Sequence, residues 1–222
     1  MVIIMLGAQG TGKGTVAGLI SEETKWPQVS TGDIFRKNIS EKTELGIEAN
    51  KYIANGNLVP DEITVPMVSN RLNQEDAQDG VILDGFPRTI AQAEKLDEIL
   101  KQYGKKVDLV INLTTPREEI IDRMLTRRVC TNQNCKATYN TKLHPPKVEG
   151  VCDKCGAQLK QREDDSNPEA INKRLEIYEN QTSPLVEYYE KKGVLRTEIV
   201  STSINRMGKD VADDILKSIK RD

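Results

Sequence analysis

The stretch GAQGTGKGT at residues 7 to 15, directly after the apolar run Met1 to Leu6, restricts this chain more than any other feature. Its alternating glycines let successive backbone N–H groups face one concavity, and a helix beginning near Lys13 adds the positive end of its dipole. Strand, glycine loop and helix in that order make a polyphosphate seat, with Lys13 reaching the β- and γ-oxygens. The bland alternative, a strand-to-helix turn without a ligand, leaves the Lys unexplained. One position departs from the usual loop, where a Ser or Thr follows Gly-Lys and its hydroxyl takes Mg²⁺. Gly14 stands there, and Thr15 comes one residue late. Mg²⁺ then has to be held by the nucleotide's own oxygens and by waters, which an acidic group should orient. Asp84, closing the run VILD at 81 to 84, is the candidate, because strand ends on one edge of a parallel sheet converge on the ligand crevice. Its bland alternative is a helix cap or turn former.

Short apolar runs alternate with longer amphipathic stretches. Strands are expected at Met1 to Leu6, Gln28 to Ser30, Val81 to Asp84, Val107 to Leu113 and Leu195 to Val200. Helices are expected at 13 to 24, 33 to 39, 44 to 55, 61 to 72, 89 to 103, 116 to 127, 168 to 192 and 209 to 220. That alternation predicts an α/β chain with a five-stranded parallel sheet covered on both faces. Residues 30 to 60 and 128 to 165 do not fit it and read as insertions. The 222 residues suit one core, and 32 Lys and Arg against 34 Asp and Glu give a net charge of -2. No global pull toward nucleic acid or an anionic membrane results. No apolar run reaches ~18 residues and no secretory segment opens the chain, so a cytoplasmic protein is expected.

Cys130, Cys135, Cys152 and Cys155 form a Cx4C and a Cx2C knuckle separated by sixteen residues. Two knuckles at such a separation can place four thiolates tetrahedrally about Zn²⁺; the competing reading is a pair of disulfides. A cytoplasmic chain keeps its thiols reduced, which favours the metal. His144 lies between the knuckles and reads as a loop residue.

LDGFPRT at 83 to 89, STGDIFR at 30 to 36 and the loop with its GKGT ending together resemble the nucleoside monophosphate kinases, specifically the adenylate kinases. The similarity continues through ELGIEA, LVPDE, RRV, PPKVEG, REDD and KRL. The resemblance implies a P-loop kinase core (1 to 29, 61 to 126 and 166 to 222), a helical AMP-binding insertion (30 to 60) and a zinc-bearing lid (127 to 165). It implies the reaction of ATP with AMP to give two ADP, with Gly in place of the loop hydroxyl and Mg²⁺ held through waters and phosphates. On the acceptor side it implies Thr31 and Gln92 at the adenine and Arg36 and Arg88 at the α-phosphate. Asn57, Leu58 and Val59 would close over base and sugar, with Gly85, Phe86 and Pro87 beside them. On the donor side it implies Gly10, Thr11, Gly12, Lys13, Gly14 and Thr15 at the phosphates. Arg123 would stack on adenine, Arg127 bind the phosphates, and the Thr138 and Tyr139 backbone lie nearby. Arg162 and Arg174 would reach the transferring group, giving a catalytic set of Lys13, Asp84, Arg88, Arg127, Arg162 and Arg174. Such phosphoryl transfer calls for converging cations and no general base, and for a lid that excludes water.

The chain departs from the family pattern in four places. Gln9 stands where Pro is usual, and the first knuckle is Cx4C where Cx2C is common. DDSNPEA at 164 to 170 is one residue longer, although Asp164 and Asp165 remain to form a hinge. STSINRMGKD at 201 to 210 replaces a short turn whose carbonyl meets the donor adenine, and Arg206 is the expected substitute. The nearest rival is a monophosphate kinase with another acceptor base or GTP as donor. A zinc ribbon that binds nucleic acid or a protein partner is a rival from another class. It should show an interleaved basic and aromatic face, whereas residues 130 to 160 hold five Lys, no Arg and one aromatic. The expected partners are ATP, AMP and ADP, and the expected state is a monomer.

Overall fold

The computed structural model describes residues 1–132, 134–135, 137–162 and 165–219. Five parallel strands, β1 (Val2–Leu6), β2 (Gln28–Ser30), β3 (Val81–Asp84), β4 (Leu109–Thr114) and β8 (Leu195–Ile199), form one sheet in the order β2-β3-β1-β4-β8. All five sit within two residues of the expected positions. The order reverses at β1, so the crevice at the carboxyl ends of β1 and β3 is the topological switch point where ligands bind in such sheets.

Side-chain alternation assigns each strand residue to a layer. Val2, Ile4 and Leu6 of β1, with Val81, Leu83 and Val110, join one core beneath α4 (Asp61–Leu72), α5 (Ile90–Gln102) and α8 (Pro184–Lys191). Ile3 and Met5, with Ile82, Ile111 and Leu113, join the other beneath α1 (Lys13–Thr24) and α9 (Gly208–Ile219). Every residue of β1 is buried, which is why it reads as a continuous apolar run. The expected end of the last helix, Lys220, lies outside the described residues.

The long helix expected over 168 to 192 is divided. α7 (Pro168–Ile177) gives way to a π-helical turn at Tyr178–Thr182, and α8 starts at Pro184. Pro184 has no N–H to continue the ladder, and the Ser183 N–H donates to the Tyr178 carbonyl at 2.8 Å, five residues back.

Both irregular segments are compact additions. α2 (Thr31–Ser40) and α3 (Glu44–Ile53) follow β2 and share a small core of Phe35, Ala49 and Val59, flanked by Tyr52 and Ile53. Ser30 and Thr43 cap them, their hydroxyls accepting from the Asp33 and Gly46 N–H groups. The second addition leaves α6 (Arg117–Thr126) as β5 (Arg127–Cys130), β6 (Thr138–Asn140) and β7 (Leu159–Lys160), an antiparallel sheet in the order β6-β5-β7. Its buried centre holds Cys130, Cys152 and Leu159, with Tyr139 packed against them. Among the described residues no helix is long and apolar enough to cross a membrane.

A Cβ at Gly46 would lie 2.1 Å from the Asn38 carbonyl oxygen and 2.5 Å from the Ile39 nitrogen, so α2 and α3 cross backbone to backbone there. Gly46→Ala should therefore destabilise the fold by about 1–3 kcal/mol through forced separation of the helices. A denaturant titration checks this; an unchanged midpoint contradicts the close approach.

Candidate active site

The phosphate loop is shaped by its neighbours as much as by its own sequence. Gly10 takes φ +83°, and a Cβ there would meet the Ile120 side chain and carbonyl at 3.1 Å and Met124 at 3.2 Å, so α6 packs straight onto the loop. Within the loop, the Lys13 ammonium donates to the carbonyls of Gly7 at 2.6 Å and Ala8 at 2.7 Å. Burial lowers the Lys13 pKa to about 8; Asp84 opposes the shift, and the guanidinium groups of Arg88, Arg127 and Arg174 add to it. Four of the expected catalytic cations thus act on one another electrostatically, with one carboxylate among them. Asp84 Oδ2 lies 3.6 Å from where a Cβ on Gly14 would stand and accepts from Gln28 Nε2 at 3.2 Å. The carboxylate therefore faces the position from which the usual hydroxyl is missing.

Beside the loop a cleft runs between α2, α3, the end of β3 and α7. Thr31, Arg36, Asn57, Leu58, Val59, Gly85, Pro87, Arg88, Gln92 and Arg174 all line it, together with Lys13. A chain of hydrogen bonds stiffens one wall. The Thr31 hydroxyl and Arg88 Nε both donate to the Gly85 carbonyl, at 2.9 and 2.8 Å. Gln92 Oε1 accepts from the Arg88 N–H at 2.7 Å, and Gln92 Nε2 donates to Asp61 at 2.6 Å. The Gln92 amide is thus fixed in orientation, with one N–H and one lone pair left over. Arg36 pairs with Asp33 at 2.5 Å, its guanidinium over Gly32. Phe86 differs from its neighbours: its side chain is fully buried in the core beneath α4 and α5, so only its backbone can face the cleft.

Arg127 and Arg174 converge through one anion. Asp165, wholly buried, accepts from Arg127 Nε and Nη2 at 2.7 Å each and lies 3.5 Å from Arg174 Nη1. Such a bidentate pair fixes the guanidinium plane, so Asp165 is more than the expected hinge residue. Asp164 lies outside the described residues. The Arg162 carbonyl accepts the Asp165 N–H at 3.1 Å.

On the far side of the loop, Arg123 donates to Glu119 at 2.9 Å and to the Val200 carbonyl at 3.3 Å. Val200 in turn stands 4.0 Å from a Cβ on Gly12, so this region borders the loop. The Arg206 carbonyl accepts the Ser201 N–H at 2.9 Å, and its guanidinium pairs with Glu198 at 2.6 Å and Asp214 at 3.0 Å. These bonds close the turn through Arg206 and tie its side chain to β8 and α9. Thr138 and Tyr139 belong to β6, paired with Val129 and Arg128, and the Tyr139 hydroxyl contacts Cys152 Sγ at 3.6 Å.

The four cysteines are unbridged, and their sulfurs lie within 4.8 Å of one another. Cys130 and Cys155 are 3.4 Å apart, Cys135 and Cys152 3.7 Å. A tetrahedral site with metal–sulfur bonds of about 2.3 Å needs sulfurs about 3.8 Å apart, so this donor set fits a metal ion and His144 is not part of it. Burial pushes the Cys130 thiol up to about 12. Burial also opposes ionisation of Cys152, but the Tyr139 hydroxyl and the N–H groups of Cys155 and Lys154 bring it down to about 6.

Sequence reading missed Asp61, Gln28 and Glu119. Only Glu119 left a local signal, four residues before Arg123 on a predicted helix.

A glycine loop opening a helix at the switch point of a parallel sheet, with a buried Lys and converging guanidinium groups, defines a P-loop phosphotransferase of the nucleotide-kinase class. The adenylate kinase family model matches residues 5–194. The chain is 52% identical over 207 residues to an adenylate kinase of Clostridium botulinum, covering 93% of this chain and 94% of that one. It is 48% identical over 219 residues to an adenylate kinase of Caldicellulosiruptor saccharolyticus, covering 99% of each. A third such relative, from Caldicellulosiruptor bescii, is 51% identical over 195 residues, 88% of this chain and 89% of its own. The chain belongs to the adenylate kinase family, and so to the phosphotransferases.

Bound polyphosphate would take over the Lys13 ammonium from the loop carbonyls and raise its pKa above the value of about 8 in the free protein. Binding then takes up a proton above that pH, so affinity should be level below pH ~8 and fall by up to tenfold per unit above it. Titration of ATP binding against pH checks this; Lys13→Arg should abolish the inflection.

Proposed function

We propose that the chain transfers the γ-phosphoryl group of ATP to AMP, giving two ADP, with AMP in the cleft described above and ATP along the phosphate loop. The observation that carries this is the cleft itself, which sets Lys13, Arg36, Arg88 and Arg174 around one space with Gln92 at its wall. The AMP phosphate lies between Arg36 and Arg88, and the adenine against Thr31 and the spare N–H and lone pair of Gln92. That pattern suits the donor and acceptor edge of adenine. The ATP phosphates lie on the loop N–H groups and Lys13, and the adenine against Arg123.

The acceptor phosphate brings its own nucleophilic oxygen, so the protein's task is alignment and charge neutralisation. Lys13, Arg88, Arg127, Arg162 and Arg174 supply positive charge around the transferring group. Asp165 holds two of them in place without reaching the substrate. Mg²⁺, carried in on the nucleotide, would neutralise phosphate charge and hold its oxygens in one geometry. Asp84 would orient its waters, since its carboxylate faces Gly14 with Oδ2 3.6 Å from where a Cβ would stand.

The two added segments, 30–60 and 127–165, close over AMP and ATP and exclude water, since an open site would spend ATP on hydrolysis. Zn²⁺ is the ion that the four sulfurs suit, and all four positions filled by protein give it a structural role. The three-stranded lid has a core of only a few apolar side chains, which a metal can replace. Unbridged thiols suit a reducing compartment, so the reading carries with it a monomeric cytoplasmic enzyme.

Purified protein should form ADP from Mg-ATP and AMP at ~1–100 per second, and phosphorylation of UMP or CMP in preference to AMP would refute the acceptor. Arg88→Ala should lose on the order of 100-fold in turnover while remaining folded; unchanged turnover would remove Arg88 from the reaction. Metal analysis should find one Zn²⁺ per chain. Cys152→Ser should melt early yet keep much of its activity at low temperature, because the metal's binding free energy is folding free energy. A variant that melts normally but cannot turn over would exclude the structural role.

A further inference from the structure

Glu119 is a half-buried carboxylate on α6 that no part of the transfer chemistry requires, yet three hydrogen-bond donors converge on it. Oε1 accepts from the Ser201 hydroxyl at 2.5 Å, and Oε2 from the Thr202 N–H at 3.1 Å and Arg123 Nη2 at 2.9 Å. Ser201 also meets the Ser203 hydroxyl at 2.7 Å and its backbone closes the turn on Arg206. Arg123 Nη1 reaches the Thr115 hydroxyl at 3.4 Å, and Thr115 donates to the Val200 carbonyl at 2.7 Å. The guanidinium is therefore tied along its outer edge, while its buried Nε has no partner among the described residues. A guanidinium held by its edge can receive an aromatic ring on its face.

We propose that Glu119 is the positioning residue for the donor base: it locks Arg123 and the turn at 201–206 into one rigid wall against which the adenine of ATP is held. This rests on the placement of that adenine at Arg123. Among the described residues the carboxylate is the only group bonded to both pieces, since Arg123 meets the β8 end through Val200 and the turn itself through Glu119. Removing its charge frees the guanidinium to rotate while the loop glycines and Lys13, which hold the phosphates, are untouched.

The test separates donor from acceptor. Glu119→Gln keeps the shape and an acceptor for Ser201 but replaces the charged partner of Arg123. The KM for ATP should rise on the order of tenfold, the scale of one charge-assisted hydrogen bond, with the KM for AMP and kcat within about twofold. Inorganic tripolyphosphate, which has phosphates but no base, should inhibit both proteins equally. Ser201→Ala, which loosens the turn without touching Arg123, should give a smaller rise in the same direction. In an Arg123→Ala background the Glu119→Gln change should add little, because the two act as a unit. An unchanged KM for ATP in folded Glu119→Gln, a matching rise in the KM for AMP, or weakened tripolyphosphate inhibition overturns the proposal. If Arg123→Ala raises the KM for ATP and Glu119→Gln does not, the positioning role alone falls. If Arg123→Ala also leaves that KM unchanged, the placement of the adenine falls with it.

Discussion

A buried ammonium among three guanidinium groups is the constraint around which this molecule is arranged. Lys13 is poorly solvated at the edge of the cleft and sits in the positive field of Arg88, Arg127 and Arg174, with its charge supported by two loop carbonyls and Asp84. In a low-dielectric crevice such repulsion is costly, and a substrate polyphosphate relieves it. The same concentration of positive charge is what makes the site complementary to a transition state with charge spread over phosphoryl oxygens. Asp165 limits the strain by neutralising Arg127 and Arg174 from behind.

The two added segments solve the problem of small size by different chemistry. The pair of helices α2 and α3 encloses Phe35, Ala49 and Val59 and crosses closely at Gly46, so apolar packing suffices. The three-stranded sheet gathers four cysteines where a core would be, and their mutual spacing fits a tetrahedral metal site. Both segments meet the main body near groups of the site. α7 touches the turn after α3 at Gly56 through Arg174, and β5 begins with Arg127 itself. The position of either segment therefore bears on the placing of cations around the phosphate loop.

Much of the fold was legible because its signals are local. The five strands are short apolar runs whose layer assignment follows from period two, and the glycine loop announces its own geometry. The residues expected at the acceptor were picked out through the resemblance of three short motifs, and nearly all of them line one cleft. The exceptions have physical reasons. Phe86 sits between residues that face the cleft, yet its side chain turns into the core, a choice made by the space beneath α4 and α5. The helix expected over 168 to 192 breaks at a π-turn, which the missing N–H of Pro184 could suggest but not locate. The ion pairs of Arg206 with Glu198 on β8 and Asp214 on α9 were not legible either, because they join elements that meet only in the folded chain.

By itself, the sequence determined which chemistry is possible: a glycine loop with Lys13 binds phosphates, Gly14 denies Mg²⁺ its usual ligand, and four cysteines can hold a metal. Each of these depends on residue type and spacing within a few positions. Tertiary structure alone decided which charges meet. Asp165 reaches Arg127 across 38 residues, Gln92 reaches Asp61 across 31, and Ser201 reaches Glu119 across 82. Ion pairs and hydrogen bonds act over a few ångströms in space, whatever the separation in sequence, so their partners are fixed only when the strands have been ordered and the helices laid across them.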